Sequence, residues 1–293
     1  MAAVRVDFVK SLNPADYIRG ILVATIWGAG VVLTKSVISD FPPILLMSFR
    51  FALSTLVLVW FAQVPRGSFV RLLILSMLGG AVQYSLTFTG LRGLDASVTA
   101  LLLQLEVPLL VIVGAVALKE KPGLKRCLGI AAAFIGAAII AGEPRLSGAY
   151  GSMILVLGGA LAWASSQAVV RSLALEARTI TAWFALLVAP QLLIASLLFE
   201  TGQREAIAAA GPALWLTVIY LGLVMTVVGD TTWNGLVRRY PISTLAPFLL
   251  LQPVVSAVGA VLFLGEVLTL PILIGGSIVI AGVAAIVREP SRT

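Results

Sequence analysis

The chain has 293 residues, of which 60% are hydrophobic and only 11% charged, with a formal net charge of +7. A soluble domain would carry about twice that charged fraction, so neither one large soluble domain nor two small ones fits. With no histidine, a Ser-His-Asp triad, a His-ligated metal and a His proton relay are all excluded; the one cysteine, Cys127, excludes an internal disulfide and argues against structural zinc.

In chain order, Met1–Asp16 mixes Arg5, Asp7, Lys10 and Asp16 with no cleavable signal pattern, and reads as a short tail. Ten apolar spans follow, each close to the length of about 20 residues that crosses a bilayer as a helix. The first four are predicted at Ile18–Ile38, Pro43–Ala62, Val70–Leu91 and Ser97–Leu118. The fifth, Leu124–Ala141, is barely long enough, so it must stand upright or thin the bilayer. The second half continues with Ala149–Val170, Ile180–Leu198, Pro212–Val237, Ile242–Gly265 and Leu270–Val287. Connections are short and hold Pro, Gly and charge, as in Lys119-Glu120-Lys121-Pro122 and Arg238-Arg239-Tyr240-Pro241; Glu200–Gly211 is the longest loop.

The positive charge follows the loops. With a cytoplasmic N-terminus, fifteen Lys and Arg residues from Arg5 to Arg292 lie inside, against Lys35, Arg92, Arg145 and Arg204 outside. Arg50 falls inside or near the outer end of the second span. This asymmetry is the mark of membrane orientation rather than of nucleic-acid binding, and ten spans place both termini inside.

The stretch Ala96–Pro144 recurs at Ile242–Pro290, 146 positions later and without a gap. Ser97 falls on Ser243, Ala100 on Ala246, Glu120 on Glu266, Gly129 on Gly275, Gly136 on Gly282, and Glu143–Pro144 on Glu289–Pro290. Trp27 falls on Trp163 at an offset of 136. Five spans per copy make the second enter from the opposite side. The expected fold is therefore an all-α membrane protein of ten transmembrane helices. Two inverted five-helix repeats, residues 1–145 and 146–293, would surround a central cavity.

Several of these features together resemble the EamA family of the drug/metabolite transporter superfamily. They are Trp27-Gly28 in the first span, Pro43 with Arg50-Phe51 in the second, and Tyr84 in the third. Leu105-Glu106-Val107-Pro108 with Glu120 in the fourth is echoed by Leu251-Gln252-Pro253 with Glu266 in the ninth. Within that family the pattern is similar to the YddG-type amino acid exporters. The resemblance implies a bacterial inner-membrane exporter of aromatic and other neutral amino acids.

Polar residues in mid-span are the first candidates for the substrate path, since each costs free energy in hydrocarbon. Glu106 is the sharpest, as a proton carrier, a contact for a substrate ammonium, or a structural hydrogen-bonding group; its repeat partner Gln252 cannot titrate. Asp230 shares a helical face with Trp233 and Asn234, and its repeat partner Tyr84 shares one with Thr87 and Phe88. These stripes suit either substrate contact or interhelical packing. Trp163 and Gln167 offer an aromatic plane and an amide, which suit an amino acid; packing is the bland alternative. Gln104 lies one turn before Pro108, and Pro108 and Pro253 can hinge their helices. The candidate substrate-binding set is thus Tyr84, Thr87, Gln104, Glu106, Trp163, Gln167, Asp230, Trp233 and Gln252.

The remaining features have plainer readings. Gly129, Gly136, Gly275 and Gly282 read as packing faces of the fifth and tenth spans, with a homodimer contact as the alternative. Glu120 and Glu266 are expected to cap following helices or to pair with gate charges. Arg50 and Lys35 are expected to attract carboxylates near the outer side or to snorkel. The partners expected are a small-molecule substrate and the lipid bilayer, with the chain acting as a monomer and without cofactor, metal or nucleic acid. A channel lacks a ring of charges, and an intramembrane enzyme lacks a nucleophile motif. Other solutes such as nucleosides or drugs, and a lipid flippase, remain as alternatives to amino acid export.

Overall fold

The computed structural model describes residues 13–117, 123–173, 175–237, 239–240 and 242–288. Lys119, Glu120, Lys121, Pro122, Arg238, Pro241 and the Glu289–Pro290 pair lie outside the described residues, as do the side chains of Asn234, Ser243 and Ala246.

Hydrocarbon offers the backbone no hydrogen-bond partners, so a spanning segment must satisfy its own amides. Every regular element among the described residues is accordingly helical. Among the described residues, ten helices are long and apolar enough to cross a membrane: Pro14–Val37, Pro43–Phe61, Phe69–Arg92, Ala96–Val116, Leu124–Ala141, Tyr150–Val170, Arg178–Phe199, Pro212–Trp233, Pro247–Leu264 and Leu270–Val287. Two expectations are corrected. Asp16 belongs to the first helix rather than to a tail, because Asn13 caps that helix and Pro14 starts it. The Glu200–Gly211 connection is not a plain loop, for it contains the short helix Gln203–Ala208.

The fourth and ninth spans are each broken in the middle. The fourth runs as Ala96–Leu103 and Glu106–Ala117, with a tight turn at Gln104 and Leu105. Pro108 has no amide to give the Gln104 carbonyl, which takes the Val107 N–H at 3.3 Å instead. The ninth runs as Ile242–Leu249 and Leu251–Leu264, interrupted at Leu250 just before Pro253. Leu250 is the residue 146 positions beyond Gln104.

The third and eighth spans share a different irregularity. Each carries a wide π-helical segment, Met77–Val82 in the third and Tyr220–Asp230 in the eighth. The offset of 146 carries the first into the second. Such turns mark functional sites more often than regular helix does.

The fifth and tenth spans pack along a glycine seam. A Cβ on Gly136 would meet the Gly275 carbonyl oxygen at 2.5 Å, and one on Gly129 would meet that of Gly282 at 2.7 Å. The pairing runs in opposite sequence directions, so the two helices are antiparallel. The glycines therefore serve contact within the chain, as the packing-face reading expects.

Around these supports lie two large apolar clusters. One joins the second, third, seventh and eighth spans through Leu46, Met47, Phe51, Phe88, Leu192 and Leu221. The other joins the fourth, fifth and tenth spans through Leu102, Leu105, Ile140 and Val279. Trp60, Phe199 and Phe263 are exposed on the outer rim of the bundle, where lipid would cover them.

Candidate functional site

The two broken helices set the first group of candidate residues. Gln104 occupies the break in the fourth span and is buried, while Glu106 opens the next helix and stays partly exposed. Glu106 makes no side-chain hydrogen bond among the described residues, and it lies within electrostatic range of the Tyr84 hydroxyl. Gln252 is two residues beyond the break in the ninth span, and its backbone carbonyl sits against Gly28. A Cβ at Gly28 would come within 2.8 Å of that oxygen, so only glycine lets the first span approach here.

Trp27, the neighbour of Gly28, turns to the eighth span instead. Its indole Nε1 donates to Asp230 Oδ1 at 3.1 Å, and its ring lies 5.5 Å from that of Trp233, tilted by 59°. The Asp230–Trp233 stripe is therefore continued by an aromatic from the other half of the chain. Tyr220, at the start of the same π-helical segment, donates to the Ile26 carbonyl at 2.9 Å.

The third-span stripe divides. Tyr84 stacks on Phe88 at 5.7 Å and meets the edge of Phe51 at 4.8 Å. Thr87 is turned towards the sixth span, where its hydroxyl lies against Gly159 and has no hydrogen-bond partner. Trp163 and Gln167 are partly buried on that same sixth span, and Gln167 Nε2 lies 3.4 Å from Ser166 Oγ. The fold thus puts Tyr84 within electrostatic range of Glu106 and Asp230, and sets Asp230 and Trp233 against Trp27, with Thr87 at the adjoining helix contact.

Arg50 lies inside the second span, and of the expectations for it snorkelling is overturned. It does not snorkel to the outer surface; it is only 2% exposed. Its Nε donates to Thr226 Oγ1 at 3.0 Å, and Thr226 in turn donates to the Leu221 carbonyl within the π-helical segment. The guanidinium lies 5.1 Å from the Phe51 ring and 5.2 Å from the Tyr84 ring, both within cation–π reach. Nothing in the sequence pattern marks Thr226, because the wide turn that presents it has no local signature.

Charges at the helix ends hold the bundle. Glu266 accepts from the backbone amides of Ala96 at 2.5 Å and Ser97 at 3.0 Å, and from the Ser97 hydroxyl at 2.6 Å. It therefore caps the fourth span, not the helix that follows it. Glu200 does the same for the second span through Ile44 and Leu45. Both put a carboxylate at the positive end of a helix. Lys35 donates to the last carbonyls of the third span, Leu91 and Arg92, rather than to a carboxylate. Beside Glu266, the Asp95 carboxyl is held above its usual range, by burial first and the Glu266 charge second, with Arg145 and Lys35 opposing. At the other end, Asp16 accepts from Arg19, Arg239 and Tyr240, tying the first span to the end of the eighth.

An apolar cavity of about 520 Å³ lies between the third and seventh spans, lined by Met77, Ala81, Ser85, Gln191 and Leu198 among others. None of the nine candidate residues lines it, so it is separate from the polar–aromatic cluster.

The EamA-like transporter family matches the chain twice, over residues 16–142 and 151–288. A probable amino-acid metabolite efflux pump of Salmonella typhimurium is 28% identical over 282 residues, covering 92% of this chain and 94% of the relative. A probable terminal-alkyne amino-acid exporter of Streptantibioticus cattleyicolor is 29% identical over 199 residues, covering 66% of this chain and 65% of the relative. One solved structure superposes with a TM-score of 0.63 at 18% identity, covering 94% of this chain and 96% of that one. That last likeness is one of fold alone.

Proposed function

Because the chain belongs to the EamA-like transporter family, we propose that it exports small organic metabolites, foremost aromatic and other neutral amino acids. Export proceeds by alternating access, with residues 1–145 and 146–293 acting as inverted repeats. The protein works as a monomer in a bacterial inner membrane with both termini cytoplasmic. Two family matches of nearly equal length, and antiparallel fifth and tenth spans, support the repeat.

The observation that carries the reading is the cluster where both halves of the chain meet. Trp27 and Tyr84 from the first half stand with Asp230 and Trp233 from the second: Trp27 contacts both, and Tyr84 is within electrostatic range of Asp230. Aromatic faces receive an apolar side chain, and the acids Asp230 and Glu106 receive an ammonium. Trp163, Gln167, Thr87, Gln104 and Gln252 complete the binding set on the neighbouring spans. The breaks at Gln104 and Leu250 give the fourth and ninth spans the hinges that alternating access needs.

The test is a counterflow screen with purified protein in liposomes, with and without a proton gradient. Accumulation of labelled phenylalanine, tryptophan or threonine against the unlabelled solute supports the reading. Exchange of nucleosides or polyamines with no amino acid exchange overturns it. The pH gradient arm assigns coupling: a rate unchanged by the gradient removes proton coupling from Glu106 and Asp230.

A further inference from the structure

We infer that Arg50 is the anchor for the substrate carboxylate, a role that rests on the amino acid reading above. The starting point is a charge without a counter-charge. Arg50 is nearly fully buried in the middle of the second span, seven residues beyond Pro43. The described residues place no ion pair on it. Its Nε is satisfied by the Thr226 hydroxyl, but its Nη1 is buried with no hydrogen-bond partner. A buried cation left this way is costly, and in a fold it persists where a partner comes and goes.

The surroundings define that partner. The rings of Phe51 and Tyr84 lie at 5.1 and 5.2 Å from the guanidinium, and the Tyr84 hydroxyl also interacts with it; neither residue neutralises its charge. Asp230 is near enough to interact with Arg50 electrostatically, yet it does not close into an ion pair. One of its oxygens is engaged by the Trp27 indole at 3.1 Å. Opposite charges are therefore held apart, each tethered by its own neutral donor or acceptor. Glu106 adds a second acidic group within electrostatic range of Tyr84.

A molecule that carries both charges close together, an α-amino acid zwitterion, completes this arrangement. Its carboxylate takes the unpartnered guanidinium nitrogen Nη1, where a planar guanidinium suits a carboxylate better than an ammonium would. Its ammonium turns to Asp230 or Glu106. The side chain then lies among Tyr84, Trp27 and Trp233. Thr226 has a positioning role: it fixes the guanidinium through Nε and leaves Nη1 for the ligand.

The experiment compares each acid with its carboxamide. Counterflow of L-phenylalanine, L-leucine and L-threonine is measured in liposomes with the full-length protein, with the matching carboxamides as competitors. Wild type should prefer each acid to its amide at least tenfold. In Arg50→Gln the apparent affinity for the acids should fall at least tenfold, towards that of the amides, while the amides change less than twofold. Arg50→Lys should recover part of the preference. If Arg50→Gln elutes aggregated, the wild-type ratio decides alone: equal competition by acid and amide overturns the proposal. An unchanged acid-to-amide ratio in folded Arg50→Gln also overturns it. If wild type exchanges no amino acid at all, the function proposed above fails and this inference falls with it.

Discussion

The indole of Trp27 lies 3.1 Å from a carboxylate oxygen of Asp230, so a residue of the first span hydrogen-bonds an acid of the eighth across 203 positions of sequence. Interhelical hydrogen bonds inside membranes average about 0.6 kcal/mol and reach about 1.7 kcal/mol. Trp27→Phe keeps much of the ring contact with Trp233 and removes the donor. It should lower stability by about 1 kcal/mol, and Asp230→Asn should couple to it in a double-mutant cycle. Thermal or denaturant unfolding in detergent reads this, and strictly additive losses would mean the bond contributes nothing.

Gly136 should tolerate no side chain. The atom that a Cβ would strike is a backbone oxygen of Gly275, which cannot swing aside as a side chain does. Overpacking costs about 1–3 kcal/mol or more, so Gly136→Val should lower the melting temperature clearly. Gly151, which has open space around its Cβ position, is the control. Gly151→Ala should be neutral or stabilising by about 0.5–1 kcal/mol. Equal effects at the two sites would remove the seam as a structural element.

Glu266→Ala removes the acceptor for three donors at the start of the fourth span. Loss of a helix cap costs about 0.5–2 kcal/mol. Glu266→Gln should cost less, because it keeps one acceptor and removes the charge that raises Asp95. With Glu266 neutral, Asp95 ionises at lower pH, so Glu266→Gln should lose least at neutral pH and most where Asp95 is protonated. Unfolding from pH 4 to pH 8 tests this, and the reverse trend would contradict it.

Glu106→Gln should keep most exchange activity if Glu106 only lines the path. Trp163→Ala should weaken tryptophan and phenylalanine more than threonine. Paired counterflow rates decide both. Complete loss in folded Glu106→Gln would assign it to coupling, and equal loss of all three solutes in Trp163→Ala would remove the aromatic contact.

Membrane orientation can be read by labelling. With Cys127 replaced by serine, cysteines at Arg66 and Ser147 should react with an impermeant thiol reagent from opposite sides, Arg66 inside. Labelling of both from one side would break the ten-span orientation.

Most of the span boundaries could be read from sequence, since the fifth and tenth spans are found at Leu124–Ala141 and Leu270–Val287 as expected. Hydrophobic length dictates such helices almost without regard to neighbours. The glycines at 129, 136, 275 and 282 were legible for the same reason: a residue with no side chain, recurring on one face, has few other uses in lipid. Arg50 was not legible, because a charge in mid-span looks the same in sequence whether it snorkels or is buried. Among the partners that hold it inside is Thr226, which lies 176 positions away. The π-helical segments were hidden for a related reason. One extra residue in a turn leaves the hydrophobic pattern of an all-apolar helix unchanged, so period counting cannot detect it. The repeat pairing of Trp27 with Trp163 gave no hint that Trp27 bonds Asp230, because contacts between halves are not written in the offset.

The glycine seam has one further property. Adding 146 to Gly129 gives Gly275, and adding it to Gly136 gives Gly282, so exchanging the two copies turns the Gly129–Gly282 contact into the Gly275–Gly136 contact. The surface is isologous: each side presents the same patch to the other, as in a two-fold dimer, although both sides belong to one polypeptide. Severing the chain in the exposed turn at Ser147 and Gly148 should therefore yield two separate fragments able to recognise each other again. Co-expressed halves that co-purify in the wild type, and fail to do so with Gly136→Val, would show that a covalent link is dispensable for assembly.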